Sequence, residues 1–368
     1  MFVKQIEIRE LRMRLTHPFE TSFGSTQDRH VVLLRVSDGT LAGYGEVTAA
    51  EGPFYSYETW ETAWHVLRDY VIPSVIGREL HAKAFGDFVR GIRGHNMAKA
   101  GLETALWDLE AQIQGIPLWK MLGGTRSQID CGVSIGIQPS IDKLLAKIDT
   151  EVKAGYRRIK IKIKPGWDID VVRQVRAAFP KIDLMGDANS AYTLSDAGVF
   201  KQMDDYNLMM VEQPLHYEDM IDHAKLQKQI ETPICLDESI HSADDARKAI
   251  GIGACRIINI KLGRVGGHRE ALAVHDVCRD HGVPVWCGGM LESGIGRAHN
   301  VALSAQVNFS LPGDVSASRR YWAEDIIDPP VDVSPSGQIN QREERGIGYS
   351  VKEDLVERLT VRTQVFSA

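Results

Sequence analysis

Apolar and charged residues alternate through MFVKQIEIRELRMRL, so every second side chain of an extended chain would share one face. VVLLRV (31–36) and the GYGEV run (43–47) continue the pattern, and SDGT (37–40) reads as the hairpin turn between them. An antiparallel meander is predicted over residues 1 to about 50. The period then lengthens. Helices are predicted from about 57 to 75 and from 97 to 114, the second stopped by Gly115 with Pro117 just beyond.

From about residue 126 short apolar runs alternate with amphipathic stretches, the pattern of parallel βα units. Strands are predicted at 131–137, 157–163, 182–188, 208–213, 233–238, 255–261, 284–289 and 307–313, separated by helices such as 169–179 and 268–282. Eight such units close a barrel. PPVDVSPSG (329–337) reads as loop, which leaves the eighth helix the weakest element. The predicted class is therefore α/β: an N-terminal α+β capping domain (1–125), a modified TIM-like (β/α)8 barrel of (β/α)7β form (126–325), and a C-terminal segment (326–368) that returns to the capping domain as a strand and a helix.

Composition narrows the function classes. With 43% hydrophobic and 25% charged residues the chain reads as an ordinary soluble globular protein, and 368 residues suit two domains. A net charge of −6 and a pI near 6.1 leave no basic footprint, so no nucleic-acid partner is expected. No apolar run approaches the roughly 20 residues of a membrane span, and the N-terminus lacks a signal-peptide core. A cytoplasmic protein without a membrane partner is expected. The five cysteines lack a CxxC pair and mostly lie in strand-like runs, which predicts reduced core residues.

The chemistry starts from RRIKIKIKPGW (157–167), where Lys160, Lys162 and Lys164 occupy alternate positions. Alone, that pattern suits an edge strand defended by charge. Lys162, Asp187, Glu212, Asp237 and Lys261, however, follow one another at intervals of 25, 25, 25 and 24 residues, the length of one βα unit. Each then lies at the same level of successive strands, at the barrel end where this fold builds active sites. Three carboxylates brought together repel unless a cation joins them. All-oxygen ligation by Asp187, Glu212 and Asp237 suits Mg²⁺, with Mn²⁺ or another divalent ion as alternatives. Lys160 is expected one pleat pair below Lys162, each ammonium depressing the other's pKa, so that a lysine can act as a general base. Lys164, followed by Pro165 and Gly166, is expected at the solvated rim. A metal flanked by two lysines suits proton removal from the carbon beside a carboxylate through a stabilised enediolate. One lysine takes the proton and the other returns it to the opposite face.

The motifs Lys160-Ile161-Lys162, Asp187-Ala188-Asn189, Glu212-Gln213-Pro214, Leu236-Asp237-Glu238-Ser239 and Lys261 resemble those of the muconate-lactonizing subgroup of the enolase superfamily, over the entire chain. Sites of that superfamily are also a worked example of a lysine or histidine base acting with Mg²⁺. PFETSFG (18–24), GPFYS (52–56), NIKLGRVGG (259–267), WCGGMLESGIGRAHN (286–300) and LPGDVSAS (311–318) resemble more narrowly the N-succinylamino acid racemase and o-succinylbenzoate synthase branch. The resemblance implies Lys162 and Lys261 as the acid/base pair, Asp187, Glu212 and Asp237 as metal ligands, and Lys160, Asn189 and Glu238 as supports around them. It implies Phe19, Phe23 and Tyr55 in lids over the barrel. Ser134, at the end of the first strand, is a candidate for the substrate amide. Gly289, Met290, Glu292, Ser293, Gly294 and Ile295 are candidates for the substrate carboxylate or a backbone contact. Arg264, three residues after Lys261, is a candidate for holding its pKa down, with a surface position or carboxylate pairing as the other readings.

Two departures stand out. Gly186 precedes the metal Asp where the family commonly has Val, and Asp314-Val315-Ser316 lacks the Asp-x-Asp of dipeptide epimerases. The implied activity is Mg²⁺-dependent racemisation of N-succinyl amino acids. The alternative is o-succinylbenzoate synthesis for menaquinone, in which Lys162 takes the proton, a β-hydroxyl leaves and Lys261 serves as a positive charge. Both use one site and a small carboxylate substrate. A dipeptide epimerase or a non-catalytic metal-binding barrel is more remote, and a homo-oligomer is expected.

Overall fold

The computed structural model describes residues 1–368. The alternating N-terminus forms one long strand, Gln5–Thr21, which turns at Ser22 and Phe23 into Gly24–Ser37 and then pairs onward to Ala42–Val47. Thr360–Ser367 joins the opposite edge, antiparallel to Gln5–Leu11, so the sheet has four strands. Alternation sorts its faces. Ile6, Ile8, Val32, Leu34 and Val36 enter the capping core, whereas Leu11, Met13, Leu15, Val31 and Leu33 join the barrel's.

Helix Asn96–Gln114 lies on this sheet and stops at Gly115 in the left-handed region (φ 68°). The approach is so close that a Cβ at Gly43 would sit 2.2 Å from the Leu109 amide nitrogen, and one at Gly45 2.2 Å from the Gly101 carbonyl. The predicted helix before it runs as Trp60–Val66, then through a wider turn (Leu67–Val71) and a tight one (Ile72–Ser74).

The barrel strands are Gly132–Ile135, Arg158–Lys162, Asp183–Asp187, Met210–Glu212, Ile234–Leu236, Ile257–Ile260 and Val285–Cys287, all parallel and in sequential order. Amphipathic helices such as Ile141–Lys153, Ile169–Ala178 and His268–Asp280 cover them. The eighth predicted strand, 307–313, is not a regular strand. The ring closes through a few backbone bonds: Gly132 donates to Gly313 (2.7 Å), Gly313 to Asp130 (3.1 Å) and Asp314 to Cys287 (2.8 Å). Pro312 has no N–H to extend that ladder. The eighth helix shrinks to the turn Ser318–Arg320, which makes the barrel the modified form. Helix Glu353–Leu359 then leads into the strand that completes the capping sheet. All five cysteines are free and buried, and no helix is long and apolar enough to cross a membrane.

Candidate active site

On the second barrel strand Ile159 and Ile161 pack in the apolar core, and the other face carries Arg158, Lys160 and Lys162, all buried. Lys162 is in register with Asp187, and Asp187 with Glu212, so one sheet row carries an amine and two acids. Asp237 and Lys261 follow immediately on the fifth and sixth strands. The two lysines stand at opposite ends of the row of acids. Lys162 Nζ donates to Asp187 Oδ2 (2.6 Å) and Asn189 Oδ1 (2.7 Å), and Lys261 Nζ to Asp237 Oδ2 (2.7 Å). Lys164 lies at the rim, 40% exposed and 3.6 Å from Glu20.

Asp314, which stands out in the sequence only as the start of Asp314-Val315-Ser316, is part of the buried charge network. It follows the closing Gly313 and projects into the barrel, where Lys160 Nζ lies 2.6 Å and Arg158 2.7 Å from its carboxylate. Lys160 also bonds Glu212 (2.9 Å) and reaches Asp187 (3.2 Å), and the Trp286 ring lies 4.9 Å from both Lys160 and Arg158. This corrects the expected mutual depression of the two lysines. Burial pulls Lys160 down, but Asp314, Glu212 and Asp187 outweigh it and hold the ammonium above its ordinary pKa. Lys162 alone is lowered, chiefly by burial, with Lys160 adding to it against Asp187. Lys261 is pulled down by burial and raised overall by Tyr55, Glu238 and the neighbouring acids. Asp187, though buried, is held far below the carboxylate range by Lys162 and Lys160. Glu238 is pushed up to about 7 by burial.

A second layer fixes these groups. Asn189 donates to Glu238 (2.9 Å) and Asn259 to Glu212 (2.6 Å), while Gln213 accepts from the Asp237 amide (3.0 Å). Asn189, Ser190 and Gln213 hold φ of 42°, 63° and 37°, left-handed conformations that non-glycine residues adopt at a cost. Gln213 and Asn259 lie within Glu212-Gln213-Pro214 and NIKLGRVGG, motifs in which the sequence assigned neither of them a role. Arg264 pairs with Asp237 and donates to the Ile240 and Asn259 carbonyls, so the structure places it on the carboxylate.

The segments expected as lids belong to the capping domain. The first hairpin reaches the mouth, where the Glu20 carbonyl accepts from Ile137 (3.0 Å) and Ser22 donates to the Asn189 carbonyl (3.4 Å). Phe19 on this hairpin packs against the barrel core, and Phe23 at its tip is 39% exposed. Tyr55 enters from the next loop, its hydroxyl donating to Asp237 Oδ1 (3.0 Å). Ser134 is buried with its Oγ unpartnered. Gly289 and Met290 are half-buried at the seventh strand's end.

The next four residues depart from expectation. Glu292, Ser293, Gly294 and Ile295 are buried, and protein groups already occupy their polar capacity. Glu46 accepts from the Ser293 amide (3.1 Å) and the Gly296 amide (3.0 Å), and Asp325 from the Gly294 amide (2.8 Å). Ser293 Oγ caps Ile295, and Glu292 accepts from Asn300 (2.9 Å). The start of helix Gly294–Leu303 thus has no free N–H to offer a substrate anion.

No three acidic, histidine or cysteine side chains converge on one point as a ready-made metal cage, because each acid faces an amine. The donor chemistry nevertheless fits a hard divalent cation. Asp187, Glu212 and Asp237 supply only oxygens from adjacent strands, and beside them the buried Glu238 Oε2 has no partner.

Residues 4–123 match the N-terminal domain of mandelate racemase and muconate lactonizing enzyme, and residues 143–355 match the enolase C-terminal domain-like family. The chain is 52% identical to an o-succinylbenzoate synthase of Geobacillus kaustophilus, over 99% of this chain and 97% of that protein. It is 46% identical to an N-succinylamino acid racemase of Thermus thermophilus, over 100% of both chains. A solved structure of an enolase superfamily member from Listeria innocua superposes with a TM-score of 0.96 at 40% identity, covering 100% of this chain and 99% of that one.

Proposed function

Because the chain belongs to the mandelate racemase and muconate lactonizing enzyme family of the enolase superfamily, we propose that it racemises N-succinyl amino acids by passing the α-proton between Lys162 and Lys261. One observation carries this reading: two buried amines stand at opposite ends of a row of three acids, so a carbon held at the row's centre has an amine on each side. Lys162, with its lowered pKa, is suited to take a proton, and Lys261, held as an ammonium by its neighbours, to give one. Lys160, fixed by Asp314, donates to the acids and stays charged. Asp187, Glu212 and Asp237 would hold a divalent cation, preferably Mg²⁺. When bound, such an ion withdraws charge from the substrate carboxylate and so acidifies the neighbouring C–H. Tyr55 and the first hairpin cover the mouth and exclude water from the exchanged proton.

The o-succinylbenzoate synthase reading uses the same first step. The Geobacillus kaustophilus relative supports it. In that reaction Lys162 takes the proton, a hydroxyl leaves, and Lys261 remains a stationary cation. Proton NMR in D₂O with Mg²⁺ separates the outcomes. Exchange at the α-carbon of both hands of an N-succinyl amino acid is expected. Dehydration of the cyclohexadiene precursor without such exchange would replace the racemase by the synthase, and neither reaction would end the proton-abstraction reading.

A further inference from the structure

Gly288 ends the seventh barrel strand between the sixth strand and the mouth, its amide donating to the Ile260 carbonyl (3.1 Å). Its φ is not in the left-handed region, so the backbone does not require glycine there. Space does. A Cβ at this position would lie 2.3 Å from Asn259 Oδ1, 2.6 Å from its Nδ2 and 2.8 Å from Lys261 Cε. Asn259 cannot yield freely, because its Nδ2 is held on Glu212 at 2.6 Å. Lys261 Cε is one bond from the reacting nitrogen, which bonds Asp237 (2.7 Å) and lies 4.3 Å from the Tyr55 ring.

We propose that Gly288 is a positioning residue for Lys261: the missing side chain leaves, beside the seventh strand, the space that the lysine arm occupies as it reaches from the sixth strand to Asp237 on the fifth. The three atoms nearest a methyl at 288 belong to Asn259 and Lys261, and Lys162 stands at the other end of the row, on Asp187. The contact with the lysine arm is therefore one-sided, over and above any loss through Asn259 and Glu212 that both directions share, and general loss of barrel packing would not produce that split. The inference rests on the two-lysine reading above.

The test follows α-proton exchange of each N-succinyl amino acid enantiomer in D₂O. Lys261→Ala first identifies the enantiomer that depends on Lys261. Gly288→Ala should then slow exchange of that enantiomer by about 10²-fold more than exchange of the other, the scale of a displacement near 1 Å at one lysine. Gly186→Ala is the control, since the three atoms nearest its methyl all belong to the Ile163 side chain, at 3.1 and 3.7 Å. If Gly288→Ala does not fold, the same split is read between Asn259→Ala and Asn259→Ala/Gly288→Ala, where the methyl opposes the lysine arm alone. A crystal structure of the variant, which needs no turnover, should show Lys261 Nζ moved off Asp237. Equal losses for both enantiomers, or Lys261 unmoved, overturns the inference. Wild-type protein that exchanges neither enantiomer counts against the two-lysine reading, and the position of Lys261 in the crystal still decides the role of Gly288.

Discussion

The ring of Tyr55 lies 4.3 Å from the ammonium of Lys261, and its hydroxyl donates to Asp237, the carboxylate that the same ammonium holds. A residue of the capping domain thus completes the environment of a barrel lysine. A desolvated cation–π contact is worth about 2 kcal/mol, and a hydrogen bond to a charged group about 1.5–3 kcal/mol. Tyr55→Phe keeps the ring and should lower kcat/KM for racemisation roughly 10-fold, whereas Tyr55→Leu should lower it about 10²-fold or more. Polarimetry with both variants checks this. Equal losses would show that the ring contributes nothing.

Metal removal should be decisive. Dialysis against EDTA is expected to abolish α-proton exchange, and added Mg²⁺ to restore it. Mg²⁺ at 100 times its Kd should also stabilise the fold by about 2.7 kcal/mol, read as a raised urea midpoint. Glu212→Gln should lose both responses. A variant that kept the Mg²⁺-dependent shift would remove Glu212 from the ligand set.

Asp314 pairs with both Arg158 and Lys160 inside the barrel. Breaking a buried ion pair from one side costs about 3–5 kcal/mol. Asp314→Ala should therefore lower the urea midpoint strongly, and Asp314→Asn less, because the amide oxygen still accepts from one cation. Unchanged midpoints would mean that Glu212 and Asp187 suffice for Lys160.

His299 is fully buried between His268 (3.0 Å) and the Tyr44 carbonyl (2.8 Å), and burial lowers its pKa to about 4. Its neutral form is the one the fold accepts. The stability it contributes is present above the unfolded pKa near 6.5 and is lost as pH falls towards 4. Relative to His299→Gln, the wild type should lose about 2 kcal/mol between pH 7.5 and pH 5, from 1.4 kcal/mol per pKa unit. A pH-independent gap in urea midpoints would show that the histidine charges in the folded state.

The elements with a strong period were legible in the sequence: the meander, helix Asn96–Gln114, and seven strands whose spacing carried Lys162, Asp187, Glu212, Asp237 and Lys261 to one level. The eighth strand was not, because its apolar pattern is overridden by Pro312 and by a closure made through single backbone bonds. The pairing of Asp314 stayed hidden for a related reason. Its partners, Arg158 and Lys160, are more than 150 residues away, and only barrel closure brings them together. The stretch Glu292–Ile295 misled because glycines before a helix suggest an anion site. Glu46, from a strand about 250 residues earlier, fills that site instead.

The strand Thr360–Ser367 pairs with Gln5–Leu11, so the sheet that begins the chain is finished by residues translated after the whole barrel. During synthesis the nascent sheet must wait on the ribosome with a bare, sticky border. Until Thr360–Ser367 docks, Gln5–Leu11 presents a row of unpaired backbone N–H and C=O groups.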